Sequence, residues 1–331
     1  MYCLELAGES DSFAICEAKT VSSAVEHVAP GLATARGIDR DGVRRLAYTH
    51  SAIELIAKAD ADISGAALAL EAASFDRTGS IAVRARDVRG ATGVSTSEAE
   101  RTLGGKLVEK GFSVDLENPD HELRVLFSEG DVDGEPRSVC LLGWVAVESV
   151  RDFQTRAPTD RPFFQPGSMA PIDARAFVNI AGGGPGTTVL DPMCGTGGIL
   201  LEAGLVGARP IGIDAQAKMA HGAATNLEAY LDADQEFAVC RGDATALPLR
   251  DDSIDAVVFD SPYGRQSKIA RHELSELVSG ALAEVRRVAP RAVMVADRSW
   301  DTEAEAAGWT VSERFVRRVH RSLDRHVHVL E

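Results

Sequence analysis

The second half of the chain alternates short apolar runs with amphipathic stretches, and five of the apolar runs lead into an aspartate. In order they read TTVLD, GGILLEAGLVG, PIGID, AQAKMAHGAATNLEAYL, EFAVC followed by Arg241-Gly242-Asp243, IDAVVFD, LSELVSGALAEVRRV and RAVMVAD. Strand patterns that alternate with helical ones predict an α/β domain with a parallel, doubly wound sheet. Ligands of such sheets sit at the carboxyl ends of the strands. Asp191, Asp214, Asp243 and Asp260 are therefore expected along one edge.

The first half reads differently. LELAG and SFAICEA are strand-like, residues 40–58 carry a helical pattern with Leu46, Ile53 and Ile56 on one face, and GSIAVRARDV alternates as a strand. STSEAERTLGGKLVEKG predicts a helix capped at Ser97 or a neighbour, with Glu100 as the reciprocal carboxylate and Gly111 as its stop. ELRVLFSE and SVCLLGWVAVE follow as strands, so this half is α+β. Residues 151–171 hold four prolines and no periodicity, which predicts a crossing segment with the boundary near residue 155. The expected layout is 1–150, a joining segment 151–171, and 172–331. A chain of 331 residues, 45% hydrophobic, can bury two such cores.

Composition narrows the function classes. The five cysteines are scattered with no C-x-x-C pair, so neither a disulfide framework nor a metal site is expected. No apolar run is long enough for a membrane helix, and the acidic start MYCLELAGESDSF is unlike a secretory signal, so a cytoplasmic protein is expected. A net charge of -15 opposes a polyanionic partner. Yet the 35 basic residues comprise 6 Lys and 29 Arg, an acid-heavy, Lys-poor balance expected of a high-salt cytoplasm. At about 1 M salt the Debye length is roughly 3 Å, so only close contacts would count. Candidate arginine clusters for nucleic acid are Arg36, Arg40, Arg44 and Arg45; Arg84, Arg86 and Arg89; and Arg314, Arg317, Arg318, Arg321 and Arg325. For each alone, a solvated face that offsets neighbouring acids is the commoner explanation. His320, His326 and His328 fall on the last strand pattern, expected as a solvated sheet face, and receive no role.

The first strand of the sheet opens into Asp191-Pro192-Met193-Cys194-Gly195-Thr196-Gly197-Gly198. Glycines let backbone approach a ligand, and the following helix offers free N–H groups. A glycine loop alone does not separate cofactors. An acid ahead of it would repel a pyrophosphate but suits the sulfonium and ammonium of S-adenosylmethionine, which favours the methyl donor. Asp214, about 20 residues on, can accept from ribose hydroxyls; Asp243, beside Ala244, can accept from the adenine amine.

The fourth strand ends in Asp260-Ser261-Pro262-Tyr263-Gly264. An exocyclic aryl amine is a poor nucleophile because its lone pair is delocalised into the ring. Asp260 and the Ser261 carbonyl could accept its two hydrogens and turn the lone pair toward a methyl group. Tyr263 could stack on the base for about 1–3 kcal/mol. An Asp-Ser-Pro turn is common in any protein; its position on the same sheet as the donor loop favours chemistry.

These two loops resemble those of amino-group methyltransferases with the seven-stranded Rossmann-like fold. GSIAVRARDVRG, SEAERTLGGKL and GFSVDLENPDHELRVLF are similar to a THUMP domain, an RNA-binding module, and PFFQPGSMAPIDARAFVNIAG is similar to the joining segment of archaeal tRNA guanine-10 N2-methyltransferases. The resemblance implies transfer of one or two methyl groups to guanine at tRNA position 10, with the THUMP domain holding the acceptor end. It implies cofactor contacts at Asp191, Gly195, Gly197, Asp214 and Asp243, amine activation by Asp260, Pro262 and Tyr263, and a cofactor lid at Phe164 and Pro166. Pro192, Cys194 and Gly198 belong to the same loop. Ser261 departs from the commoner Asp-Pro-Pro-Tyr, and Gln165 from a commoner His. Rival functions are guanine methylation elsewhere in tRNA or rRNA, adenine methylation in DNA, a non-catalytic RNA-binding protein that retains the fold, and a nicotinamide dehydrogenase, which Asp191 opposes. Nothing in the pattern demands a partner subunit, so a monomer is expected.

Overall fold

A computed structural model describes residues 1–262, 271–320 and 323–331. Two compact units form, Met1–Val150 and Arg151–Glu331.

The first unit carries an eight-stranded sheet in the order Glu26–Ala29, Leu32–Ala35, Tyr2–Leu6, Thr49–Ala59, Glu135–Glu148, His121–Val132, Ser80–Asp87 and Ser113–Val114. Its last two junctions are parallel and the others antiparallel. The helix Thr96–Glu109 buries Ala99, Leu103 and Leu107 against Val83, Leu123 and Trp144. Ser95 is its cap and accepts from the Glu98 N–H at 3.4 Å. Glu100 does not close a capping box; it accepts from the Ala85 N–H at 3.0 Å, joining helix to strand.

Two elements differ from expectation. SFAICEA lies in a helix, Asp11–Ala18, started by the Ser10 side chain. The helical pattern of 40–58 holds only for Arg40–Arg45, after which Thr49–Ala59 is a strand paired on both sides, to Tyr2–Leu6 and to Glu135–Glu148. The ladder hydrogen bonds and burial of Ala52 and Ile53 outweigh a short run whose apolar spacing suits either period.

The second unit holds a seven-stranded sheet in the order Ala238–Arg241, Arg209–Asp214, Thr188–Asp191, Ala256–Asp260, Ala292–Ala296, Leu323–Leu330 and Val311–His320. The first five strands are parallel, whereas the closing hairpin runs antiparallel. The sheet is thus mixed at one edge. Helices Gly198–Leu205, Ala217–Tyr230 and Arg271–Val288 follow the strands Thr188–Asp191, Arg209–Asp214 and Ala256–Asp260, and Pro171–Ala181 precedes the first. Residues 151–171 count with this unit. Their Arg156 is fully buried and donates to Glu202 at 2.6 Å, and Arg175 reaches the same carboxylate at 2.8 Å. No described helix is long and apolar enough to cross a membrane.

Candidate active site

Strand register decides which acids meet. Leu190 lies opposite Val257, so Asp191 is level with Val258, and Asp260, two residues on, emerges on the same face. Beneath them Val257, Phe259 and Leu190 are fully buried in the core that packs the helix Arg271–Val288. Asp191 and Asp260 both line a cleft of about 360 Å³, within the range of small-molecule sites.

Asp191 is 2% exposed and accepts from the Met193 N–H at 3.0 Å. Burial, with the nearby charges of Asp260 and Asp214, pushes its carboxyl well above the usual range. A buried acid beside two others is costly to ionise alone, and a cation bound there would favour its ionised form. Asp214 ties the edge together: its two oxygens accept from the Gly195 N–H at 3.0 Å and the Gln216 N–H at 2.8 Å. The Gly242 N–H donates to the Asp214 carbonyl at 3.0 Å, which brings the third strand tip alongside.

The glycines divide by task. Gly195 has φ +51° and open space where a Cβ would stand, as expected of backbone that faces a ligand. Gly197, at φ +77°, is required for packing instead. A Cβ there would meet Ala223 at 3.0 Å, so this glycine lets the helices Gly198–Leu205 and Ala217–Tyr230 approach. It does not line the cleft, whereas Gly198 and Cys194 do. Burial pushes the Cys194 thiol far up, which makes it a packing group and not a nucleophile.

The segment around Phe163 is held along the cleft by a contact that sequence reading missed. Asn226, fully buried, accepts from the Phe163 N–H at 2.8 Å and donates to the carbonyls of Phe163 at 2.8 Å and Thr196 at 2.9 Å. Ser168 and Thr196 hydroxyls meet at 3.0 Å. Gln165 and Pro166 consequently line the cleft, while Phe164 is 41% exposed and stands outside its lining. Polar residues 63 apart give no local signal, so Asn226 was invisible in the sequence.

Ser261 and Pro262 line the cleft next to Asp260, and the Ser261 N–H is fixed by the Val295 carbonyl at 2.8 Å. Among the described residues the buried Ser261 hydroxyl finds no hydrogen-bond partner, whereas its backbone N–H makes a bond that a proline there would lose. Pro192, Asp214, Asp243 and Ala244 do not line the cleft. Asp243 is exposed and accepts from the N–H and hydroxyl of Thr245, which hold its carboxyl below the usual range. Tyr263 and Arg321 lie outside the described residues, as does the side chain of His320. His328 is not on a solvated face: it is buried, accepts from the Trp300 N–H at 3.1 Å, and burial lowers its pKa.

Several arginines adjacent in sequence pair within the fold, although Arg86 and Arg314 stay half exposed. Arg86 pairs with buried Glu5 at 2.7 Å, Arg89 with Asp11, and Arg84 donates to the Leu116 carbonyl at 2.7 Å. Arg314 pairs with Asp301 at 2.7 Å and Arg317 with Asp173 at 2.9 Å. Arg325 is buried against Asp173 and Asp260.

Residues 158–327 match the family UPF0020, described as RMKL-like, methyltransferase domain. A tRNA (guanine(10)-N2)-dimethyltransferase of Methanothermobacter thermautotrophicus is 38% identical over 295 residues, covering 87% of this chain and 84% of the relative. Another of the same description, from Methanocaldococcus jannaschii, is 33% identical over 71% of this chain and 65% of its own. Among solved structures, TrmN from Thermus thermophilus matches with a TM-score of 0.50 at 23% identity, covering 100% of this chain and 99% of that one, and shares the fold. The chain is a methyltransferase and belongs to the family of the archaeal tRNA (guanine(10)-N2)-dimethyltransferases.

Proposed function

We propose that the chain transfers methyl groups from S-adenosylmethionine to the 2-amino group of guanine at position 10 of tRNA, first one and then a second. The observation that carries this reading is the meeting, in one cleft, of the buried Asp191 beside an open glycine backbone and the Asp260-Ser261-Pro262 tip. The residues fit the donor. Asp191, ionised on binding, supplies negative charge where a sulfonium and an ammonium would sit, and Gly195 leaves room for close backbone approach, with Pro192, Cys194, Gly197 and Gly198 shaping that loop. Asp214 keeps lone pairs for ribose hydroxyls, Asp243 and Ala244 flank the adenine, and Pro166 with Phe164 covers the donor. The bound donor supplies an electrophilic methyl group.

On the acceptor side, Asp260 and the Ser261 carbonyl take the amine hydrogens and direct the nitrogen lone pair at the methyl group. Asp260 then receives the proton as nitrogen becomes positive. Pro262 stiffens this backbone and Tyr263 stacks on the base. The first unit acts as a THUMP-like RNA-binding domain that presents the tRNA. The acid-heavy surface belongs to a high-salt cytoplasm, and the enzyme works as a monomer without metal.

The test is transfer of labelled methyl to unmodified tRNA in high salt, with nuclease digestion of the product. N2-methylguanosine or its dimethyl form at position 10 is expected; label at another position, or none despite donor binding, would overturn the substrate assignment. Removal of residues 1–150 is expected to keep donor binding and abolish tRNA methylation. Equal activity of the shortened enzyme on full-length tRNA would remove the presenting role of the first unit.

A further inference from the structure

We propose that Arg325 is a positioning residue of the methyl-transfer site, holding the Asp260 carboxylate in place while Asp173 and Arg317 hold Arg325. The proposal rests on the reading of Asp260 as the amine-accepting carboxylate.

Arg325 stands near the start of the strand Leu323–Leu330, next to the central parallel strands, and its side chain is 5% exposed. Nη2 lies 3.8 Å from Asp260 Oδ2 and Nη1 lies 3.8 Å from Asp173 Oδ2. The other oxygen of Asp173 accepts from Arg317 Nη2 at 2.9 Å. Arg317 is the cross-strand neighbour of Arg325 in the closing hairpin. Asp173 sits in the first turn of Pro171–Ala181, where a carboxylate also complements the helix dipole.

A buried guanidinium is costly to desolvate and persists only where anions compensate it. So enclosed, it cannot reach a phosphate, which removes Arg325 from any RNA-contacting set. What it faces instead is the one strand-tip acid assigned to the reacting amine. Asp260 lies close enough to Asp191 for its charge to raise the Asp191 carboxyl, and Asp214 adds a third negative charge. Repulsion within that group would turn the Asp260 carboxylate away from the cleft. Arg325 opposes this from the side away from the glycine loop. At 3.8 Å the attraction is coulombic, so it sets direction.

The test compares Arg325→Met and Arg325→Lys in the full-length enzyme by steady-state methyl transfer to tRNA. For Arg325→Met, kcat is expected to fall about 10- to 100-fold, the scale of a misplaced reacting group. KM for tRNA should stay within about two-fold, because uniform binding is untouched, and the salt dependence of binding should be unchanged because no phosphate contact is lost. Arg325→Lys should recover most of the loss, since the charge is restored. A raised KM with kcat kept would make Arg325 an RNA contact. Unchanged kcat, or a lysine variant as impaired as the methionine one, would equally overturn the proposal. Should Arg325→Met fail to fold, judged by binding of S-adenosylhomocysteine, Asp173→Asn loosens Arg325 from its other side and should lower kcat about 3- to 10-fold at constant KM; no decline would overturn the proposal. Full activity of Asp260→Ala would instead remove the underlying reading of the site.

Discussion

Asp260→Ala is expected to lower kcat for tRNA methylation by about 10²–10⁴-fold, the range lost when a positioned proton acceptor is removed. Affinity for S-adenosylhomocysteine should change little, because the donor is assigned to the Asp191 side of the cleft. The size of the effect follows from the nucleophile. An aryl amine gains its reactivity only as its nitrogen becomes tetrahedral and positive, and the carboxylate interacts most strongly at that point. Asp260 thus acts in the transition state far more than in the ground state, which places the loss in kcat and not in KM. Asp260→Asn keeps an acceptor oxygen but loses the charge, and should fall between the two. Quantified label transfer under single-turnover conditions, with calorimetric binding of S-adenosylhomocysteine alongside, separates the steps. A loss of less than ten-fold in Asp260→Ala would end the assignment of this loop to chemistry.

The strand tips were legible because they carry two signals at once, an apolar run and an abrupt acid. Asp191, Asp214 and Asp260 were therefore placed on one sheet edge from spacing alone, and the structure brings Asp191 and Asp260 into one cleft. Elsewhere the local signal was ambiguous or absent. Residues 49–59 satisfy helical and strand periods alike, and only pairing to Tyr2–Leu6 and Glu135–Glu148 resolves them. The glycine loop was legible as a loop, but the task of each glycine was not. That Gly197 serves helix packing depends on Ala223, a residue in another helix. Arginines adjacent in sequence suggested a surface for nucleic acid, yet the acids that take up Arg86, Arg89 and Arg325 lie 65 or more residues away. Adjacency reports local density of charge, whereas burial and pairing are properties of the fold.

Asp191→Asn is expected to weaken binding of S-adenosylmethionine and to stabilise the protein without ligand, two changes of opposite sign from one atom. The carboxyl is raised by burial first and then by the charges of Asp260 and Asp214. Its folded-state pKa therefore exceeds its unfolded one, and the native state holds a proton that the unfolded chain has released. Stability accordingly falls as pH rises from the ordinary carboxylate range toward the raised value in the fold. Asparagine retains the acceptor for the Met193 N–H and removes the ionisation. At neutral pH the unliganded variant should be the more stable, seen as a rise in Tm. The rise should vanish in acid below the ordinary carboxylate range, where the unfolded wild-type chain is protonated as well. Binding moves the other way, because the sulfonium and ammonium lose their counter-charge in a desolvated cleft. Loss of one partner of such a pair costs about 2 kcal/mol or more, an affinity drop of roughly 30-fold or greater. Scanning calorimetry across pH and titration with the donor measure both. If Tm falls together with affinity, Asp191 is a structural residue whose hydrogen bond needs the full carboxylate; if Tm rises while affinity falls, the wild-type chain gives up folding stability at this strand tip to hold a cation there.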